Sequence, residues 1–84
     1  SDEEAVAIAN GTPYRLGASL WTRDLSRAHL MIDKIRSGTV WVNSWGVIDP
    51  ALPWGGSRLS GMGREMGFAG IVDCTEEKAV AIAL

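Results

Sequence analysis

The densest concentration of chemistry in this chain is a loop, Pro53-Trp54-Gly55-Gly56-Ser57-Arg58-Leu59-Ser60-Gly61-Met62-Gly63-Arg64-Glu65, with four glycines in thirteen residues. Glycine-rich loops cradle phosphates when their N–H groups converge and a cation meets the charge. Gly56 and Gly61 have the spacing of a P-loop, but Met62-Gly63 stands where Lys and Ser/Thr must follow. Gly61-x-Gly63 opens a dinucleotide fingerprint, but Met66 holds the third glycine's place and no strand directly precedes it. A loop shaped for packing and turning is the better reading.

Other reactive side chains are sparse. Ser44, Ser57 and Ser60 lie outside any G-x-S-x-G elbow, and the single histidine, His29, is far from all three in sequence. One His and one Cys cannot supply the three or four N/S ligands of a zinc site. Asp49 and Glu65 could form a carboxylate pair, although solvated or ion-paired carboxylates are far commoner. Cys74 sits beside Asp73, Glu76 and Glu77, whose negative charge disfavours the thiolate, so it reads as a structural or exposed thiol. No catalytic, cofactor-binding or metal-binding residue is assigned. The four tryptophans carry more information. Trp21 and Trp41 fall on predicted strands and read as core or sheet-face residues. Trp45 and Trp54 fall on the irregular segment, where an aromatic either lines a pocket or plugs a core.

The elements that must hold these residues alternate. Ser1 and Glu4 have the spacing of a capping box, and Asp2, Glu3 and Glu4 suit the positive end of a helix dipole. The helix carries Ala5, Ile8 and Ala9 as an apolar stripe and stops at Asn10-Gly11. Thr12 to Arg15 reads as a turn, and Leu16 to Trp21 as a buried strand. Asp24 caps a second helix on which Leu25, Ala28, Ile32 and Ile35 share a face with Met31, ending at Ser37-Gly38. Thr39-Val40-Trp41-Val42-Asn43 is β-branched and aromatic, hence a strand. Strand, helix and strand make a β-α-β unit of a parallel sheet, whose faces and edges need further cover.

Residues 44–62 show no period, and Gly63 to Asp73 predicts a short helix weakened by Gly67 and Gly70. Ala79 to Leu84 predicts a terminal strand that needs a partner on its edge. The chain starts on Ser1 and ends on Leu84 inside an apolar run, so both ends are expected to continue into something larger.

Composition narrows the class. Hydrophobic residues make up 46% and charged residues 21%, as in ordinary globular chains and unlike disordered tails. A net charge of −2 with scattered Lys and Arg offers no field for nucleic acid. No apolar run approaches the roughly 20 residues that span a bilayer, so no membrane partner is expected. The lone cysteine suits a reducing compartment, and a cytoplasmic location is expected.

The order of these segments resembles the C-terminal part of the NAD(P)-dependent aldehyde dehydrogenase superfamily. Pro53-Trp54-Gly55-Gly56 followed by Ser60-Gly61-Met62-Gly63-Arg64-Glu65 resembles its Pro-Phe-Gly-Gly and Ser-Gly-x-Gly-Arg-Glu signature. Glu4 to Thr12, Leu20 to Ala28, Gly38 to Asn43, Asp49 to Pro53 and Thr75-x-x-Lys78-x-Val80-x-Ile82 are similar to further family segments in the same order. The resemblance implies that residues 1–74 are the C-terminal, incomplete part of an α/β catalytic domain and that residues 75–84 are an oligomerisation strand. It implies a parent that oxidises an aldehyde through a cysteine thioester, with NAD or NADP taking the hydride. The thiolate, the water-activating glutamate and the dinucleotide site would all lie outside these residues. This chain alone is therefore expected to bind no cofactor and to be inactive. Its expected partners are the rest of the enzyme, another copy through residues 78–84, and the parent's aldehyde substrate. By position in the family pattern, Val47, Ile48 and Trp54 would line the aldehyde end of the channel with Trp45 close by. Gly61, Gly63, Arg64 and Glu65 would shape the loop and anchor the last helix.

Three positions depart from the pattern: Trp54 for the common Phe, Ser57-Arg58 for a large residue and Lys, and Arg15 where the family mostly has Gly. The first bears on substrate choice, and the last on the turn after Tyr14. The alternative to an enzyme fragment is a stand-alone binding or assembly module that self-associates through its C-terminal strand.

Overall fold

The first helix begins where its capping chemistry puts it. In the computed structural model, which describes all 84 residues, α1 runs Asp2–Asn10 and the Ser1 side chain accepts from the Glu4 N–H while Glu4 reaches back to the Ser1 backbone. β1 is Tyr14–Arg15, β2 Gly17–Leu20, α2 Leu25–Ile32, β3 Thr39–Val42, β4 Ser57–Arg58 and α3 Gly67–Asp73. Asp24 caps α2, its side chain accepting from the Arg27 N–H at 3.0 Å.

The β-α-β unit forms as expected. β2 and β3 pair in parallel, with Gly17 opposite Thr39 and Leu20 opposite Val42. Alternation along β3 turns Thr39 and Trp41 to one face and Val40 and Val42 to the other. Val42 shares a recess with Leu25 and Ala28 of α2. The opposite face is covered by the aperiodic segment after β3, which packs on Trp41. Two short pairings fasten that segment: β1 with β4, antiparallel, and a Trp54–Glu65 bridge with backbone bonds of 2.8 and 2.7 Å.

Several boundaries differ from the sequence reading, each for a tertiary reason. α2 stops at Ile32 with Asp33 as its cap, not at Ser37-Gly38, so Ile35 lies beyond the helix. Asn10 of α1 takes over there, donating to the Lys34 carbonyl at 2.9 Å and accepting from the Arg36 N–H at 2.8 Å. The residues read as a turn before Leu16 include a strand, β1, because Ser57–Arg58 pairs with them.

β2 ends at Leu20 and leaves Trp21 outside it, 68% exposed rather than in the core. Asn43, at φ 54°, closes the strand ends instead, its side-chain amide exchanging hydrogen bonds with Thr22 at 2.9 Å each. α3 starts at Gly67 and not Gly63, because Glu65 is held in its bridge and Met66 and Gly67 both have φ of 58°.

Packing is thin. Only Ala28, Met31 and Trp41 are buried apolar residues, and no large side chain is fully enclosed. The α1 stripe is uncovered: Ile8 is 80% exposed and no residue of that helix is buried. The chain's accessible surface is 6843 Å², against about 4,900 Å² for a compact protein of this mass. Its radius of gyration is 17.1 Å, where about 12 Å suits a self-contained domain. Residues 76–84 form no strand and make no hydrogen bond within the chain. Val80, Ile82 and Leu84 are exposed. No helix is long and apolar enough to cross a membrane.

Polar contacts do much of the joining between elements. Arg27 of α2 donates from Nε to both oxygens of Asp2 on α1, at 3.1 and 2.9 Å, with a further bond from its Nη2. That hydrogen bonding holds the Asp2 carboxyl below its usual value and raises the Arg27 guanidinium above its own. Both groups face water, so the pair orients α1 on α2 more than it stabilises either.

Candidate functional site

Arg64 organises the glycine loop from within. Its guanidinium donates to the carbonyls of Gly56 at 2.8 Å and Gly63 at 2.7 Å, and its backbone N–H donates to the Asp73 carboxylate on α3. The loop is thereby folded around a cation whose donors point at its own carbonyls. Both of those bonds come from Nη1, so Arg64 braces the loop through the loop's own backbone. Glu65 holds Trp54 through the backbone bridge.

Trp54 is then delivered onto β3. Its ring centroid lies 5.9 Å from that of Trp41, tilted by 38°, and Trp45 lies 6.2 Å from Trp41, tilted by 48°. Both separations fall in the range of interacting aromatic pairs. Trp41 also uses its polar edge: Nε1–H donates to the Val47 carbonyl at 2.7 Å. Pro50 accepts from the Gly67 N–H at 2.9 Å, and the Asp49 carboxylate accepts from the Ala51 N–H at 2.9 Å. The Asp49 carboxylate is thus used on its own turn.

These contacts enclose a cleft of about 240 Å³ lined by Val47, Ile48, Leu52, Pro53, Trp54 and Met66, with Gly38, Thr39 and Asp49 completing its wall. Three of the four residues named from the sequence (Val47, Ile48 and Trp54) therefore meet at one cleft. Trp45 does not line it and is 76% exposed. The lining is apolar and aromatic, and it can grip and orient an apolar molecule; it offers no nucleophile. Cys74 is exposed and lines a separate recess beside α3.

Residues 1–80 match the aldehyde dehydrogenase family. The chain belongs to that family. Among relatives, phenylacetaldehyde dehydrogenase of Pseudomonas fluorescens is 49% identical over 80 residues, covering 95% of this chain and 16% of its own. The indole-3-acetaldehyde dehydrogenase AldA of P. syringae superimposes on the whole chain with a TM-score of 0.93 at 44% identity, covering 17% of that protein. PnpE from Pseudomonas sp. WBC-3 superimposes on 90% of the chain with a TM-score of 0.86 at 54% identity, covering 16% of that protein. This aldehyde dehydrogenase chain spans about 17% of the length of curated relatives such as 2-hydroxymuconic semialdehyde dehydrogenase of Pseudomonas sp. (strain CF600).

Two residues matter here beyond what their sequence context conveyed. Trp41 is the hub of the aromatic cluster, where its strand position announced only a core or sheet-face residue. Arg15 is 5% exposed and is the only buried charge; it reaches the Asn10 and Arg36 carbonyls. The one signal for it was a charged residue in a place where the family mostly has Gly.

Proposed function

We propose that this chain is the C-terminal part of the catalytic domain of an NAD(P)-dependent aldehyde dehydrogenase, supplying one wall of the aldehyde channel. The observation that carries this reading is the superposition of all of its residues, at a TM-score of 0.93, on 17% of a solved aldehyde dehydrogenase. The surplus surface of this thinly packed chain supports it too, since about 2,000 Å² is what a substantial protein interface buries.

In the parent, Val47, Ile48 and Trp54 hold the apolar tail of an aldehyde so that its carbonyl faces a thiolate from another part of the enzyme. Positioning of this kind contributes to rate without any bond being made by the residues that do it. NAD or NADP accepts the hydride in the parent, at a site formed elsewhere. Residues 78–84 pair with another copy of the enzyme through their unpaired backbone. Apolar and aromatic aldehydes are the substrate class that suits a lining of Val, Ile, Leu, Pro, Met and Trp.

The test is direct. The purified 84-residue chain, given NAD+ or NADP+ and a panel of aliphatic and aromatic aldehydes, is expected to produce no NAD(P)H above the buffer rate. Turnover by that chain overturns the reading. The stand-alone assembly module remains a second reading because the exposed apolar tail carries no internal hydrogen bond. A well-folded, defined dimer of the isolated chain would favour it.

A further inference from the structure

We propose that Trp41, which does not line the cleft, is the positioning residue that sets the cleft's selectivity for bulky apolar aldehydes. This rests on the channel reading above. Trp41 stands on β3, paired with Ser19 of β2, and only 9% of it is exposed. Three contacts leave it for the segment around the cleft: the 2.7 Å bond to the Val47 carbonyl and the two tilted ring pairs with Trp45 and Trp54. The bond to Val47 is the only hydrogen bond that any of residues 45–48 makes. Val47 and Ile48 therefore take their place at the cleft from one indole N–H. Trp54, across the cleft, leans on the same ring.

The far side of that ring is fixed as well. A Cβ added to Gly17 on β2 would lie 2.8 Å from Cζ3 of Trp41, so the glycine leaves the room that the indole fills. The ring is bounded by Gly17 on one side and by the loop on the other. A change at Gly17 must be passed to Val47 and Trp54 through Trp41, although Gly17 does not line the cleft.

Two variants of the full-length enzyme test this. Trp41→Phe keeps an aromatic ring in the sheet and removes the donor to Val47. Loss of one neutral hydrogen bond predicts a rise of about five-fold in KM for bulky apolar aldehydes. The turnover number kcat should change by less than about two-fold, with KM for short aldehydes and for the dinucleotide unchanged, because only uniform binding is removed. Gly17→Ala, which displaces the ring from behind, should move KM in the same direction and with the same dependence on aldehyde size. If Trp41→Phe fails to fold, Gly17→Ala gives the readout alone.

Variants that lower only thermal stability, or that affect long and short aldehydes alike, overturn the proposal. If instead the unmodified full-length enzyme oxidises no aldehyde, the channel reading itself fails, and that result is distinct from either outcome.

Discussion

Replacing Gly38 with alanine is expected to destabilise the fold more than any other small change in this chain. The new methyl would lie 1.7 Å from the Gly55 carbonyl oxygen, 2.8 Å from its carbon and 3.1 Å from the Leu16 carbonyl oxygen. All three are backbone atoms, so no side chain can swing aside. Gly38 also sits where the β-α-β unit meets the glycine loop. Its N–H donates to Arg15 at 3.2 Å, the next N–H donates to Leu16 at 3.0 Å, and Gly38 itself borders the cleft. Either β3 or the loop must move, and with the loop goes Trp54. Overpacking of this severity costs about 3 kcal/mol or more, a fall of roughly a hundred-fold in the ratio of folded to unfolded protein. A depressed thermal midpoint and a poor soluble yield of the protein carrying Gly38→Ala are the expected signs. A midpoint within about a degree of the unmodified protein would show that this close approach does not exist.

Arg15→Ala should have the next largest effect. The guanidinium is buried and donates to the Asn10 carbonyl at 3.0 Å, the Arg36 carbonyl at 3.3 Å and the Asn10 side-chain oxygen at 3.5 Å. No carboxylate pairs with it. Its charge is met by the Asn10 carbonyl at the negative end of α1 and by the Arg36 carbonyl in the segment that follows α2. The backbone of the same residue donates to Ser60 Oγ at 2.9 Å and pairs with Ser57. Arg15 thus ties the end of α1 and the segment after α2 to the glycine loop. Removing the side chain leaves those carbonyls without their charged donor, at a cost of about 2 kcal/mol. Arg15→Lys should recover less than half of that, because an ammonium cannot fork between two separated carbonyls. Full recovery by lysine, or a neutral alanine variant, would contradict this account of the joint.

What could be read from the sequence was local. The Ser1 capping box, the Asp24 cap and the β-branched run before Asn43 each act within a few residues, and each appears where the chain predicts it. The parallel pairing followed from the order strand, helix, strand. What escaped reading depends on partners distant in sequence. Asn10 holds the chain just past the end of α2 by bonding to Lys34, 24 residues away. Asn43 closes the strand pair and leaves Trp21 outside, although Trp21 looked like a strand residue. The glycine loop announced itself by composition, and Val47, Ile48 and Trp54 converge on one cleft. Trp41 beneath them is indistinguishable in sequence from any strand tryptophan, because its role lies in where its N–H points. The exposed stripe on α1 follows the same logic, for it reads as amphipathic and its cover is not within these 84 residues.

The central claim is that these residues grip an aldehyde which other parts of the enzyme transform. Steady-state kinetics of the full-length enzyme carrying Trp54→Ala test it most directly, with bulky apolar and short aldehydes compared side by side. Truncating a large aromatic contact in the cleft should raise KM for bulky substrates by roughly ten-fold or more. The dinucleotide's KM should stay as it was, and turnover at saturation should persist. Unchanged KM values for every aldehyde would show that the cleft beside Trp54 is not where the substrate sits.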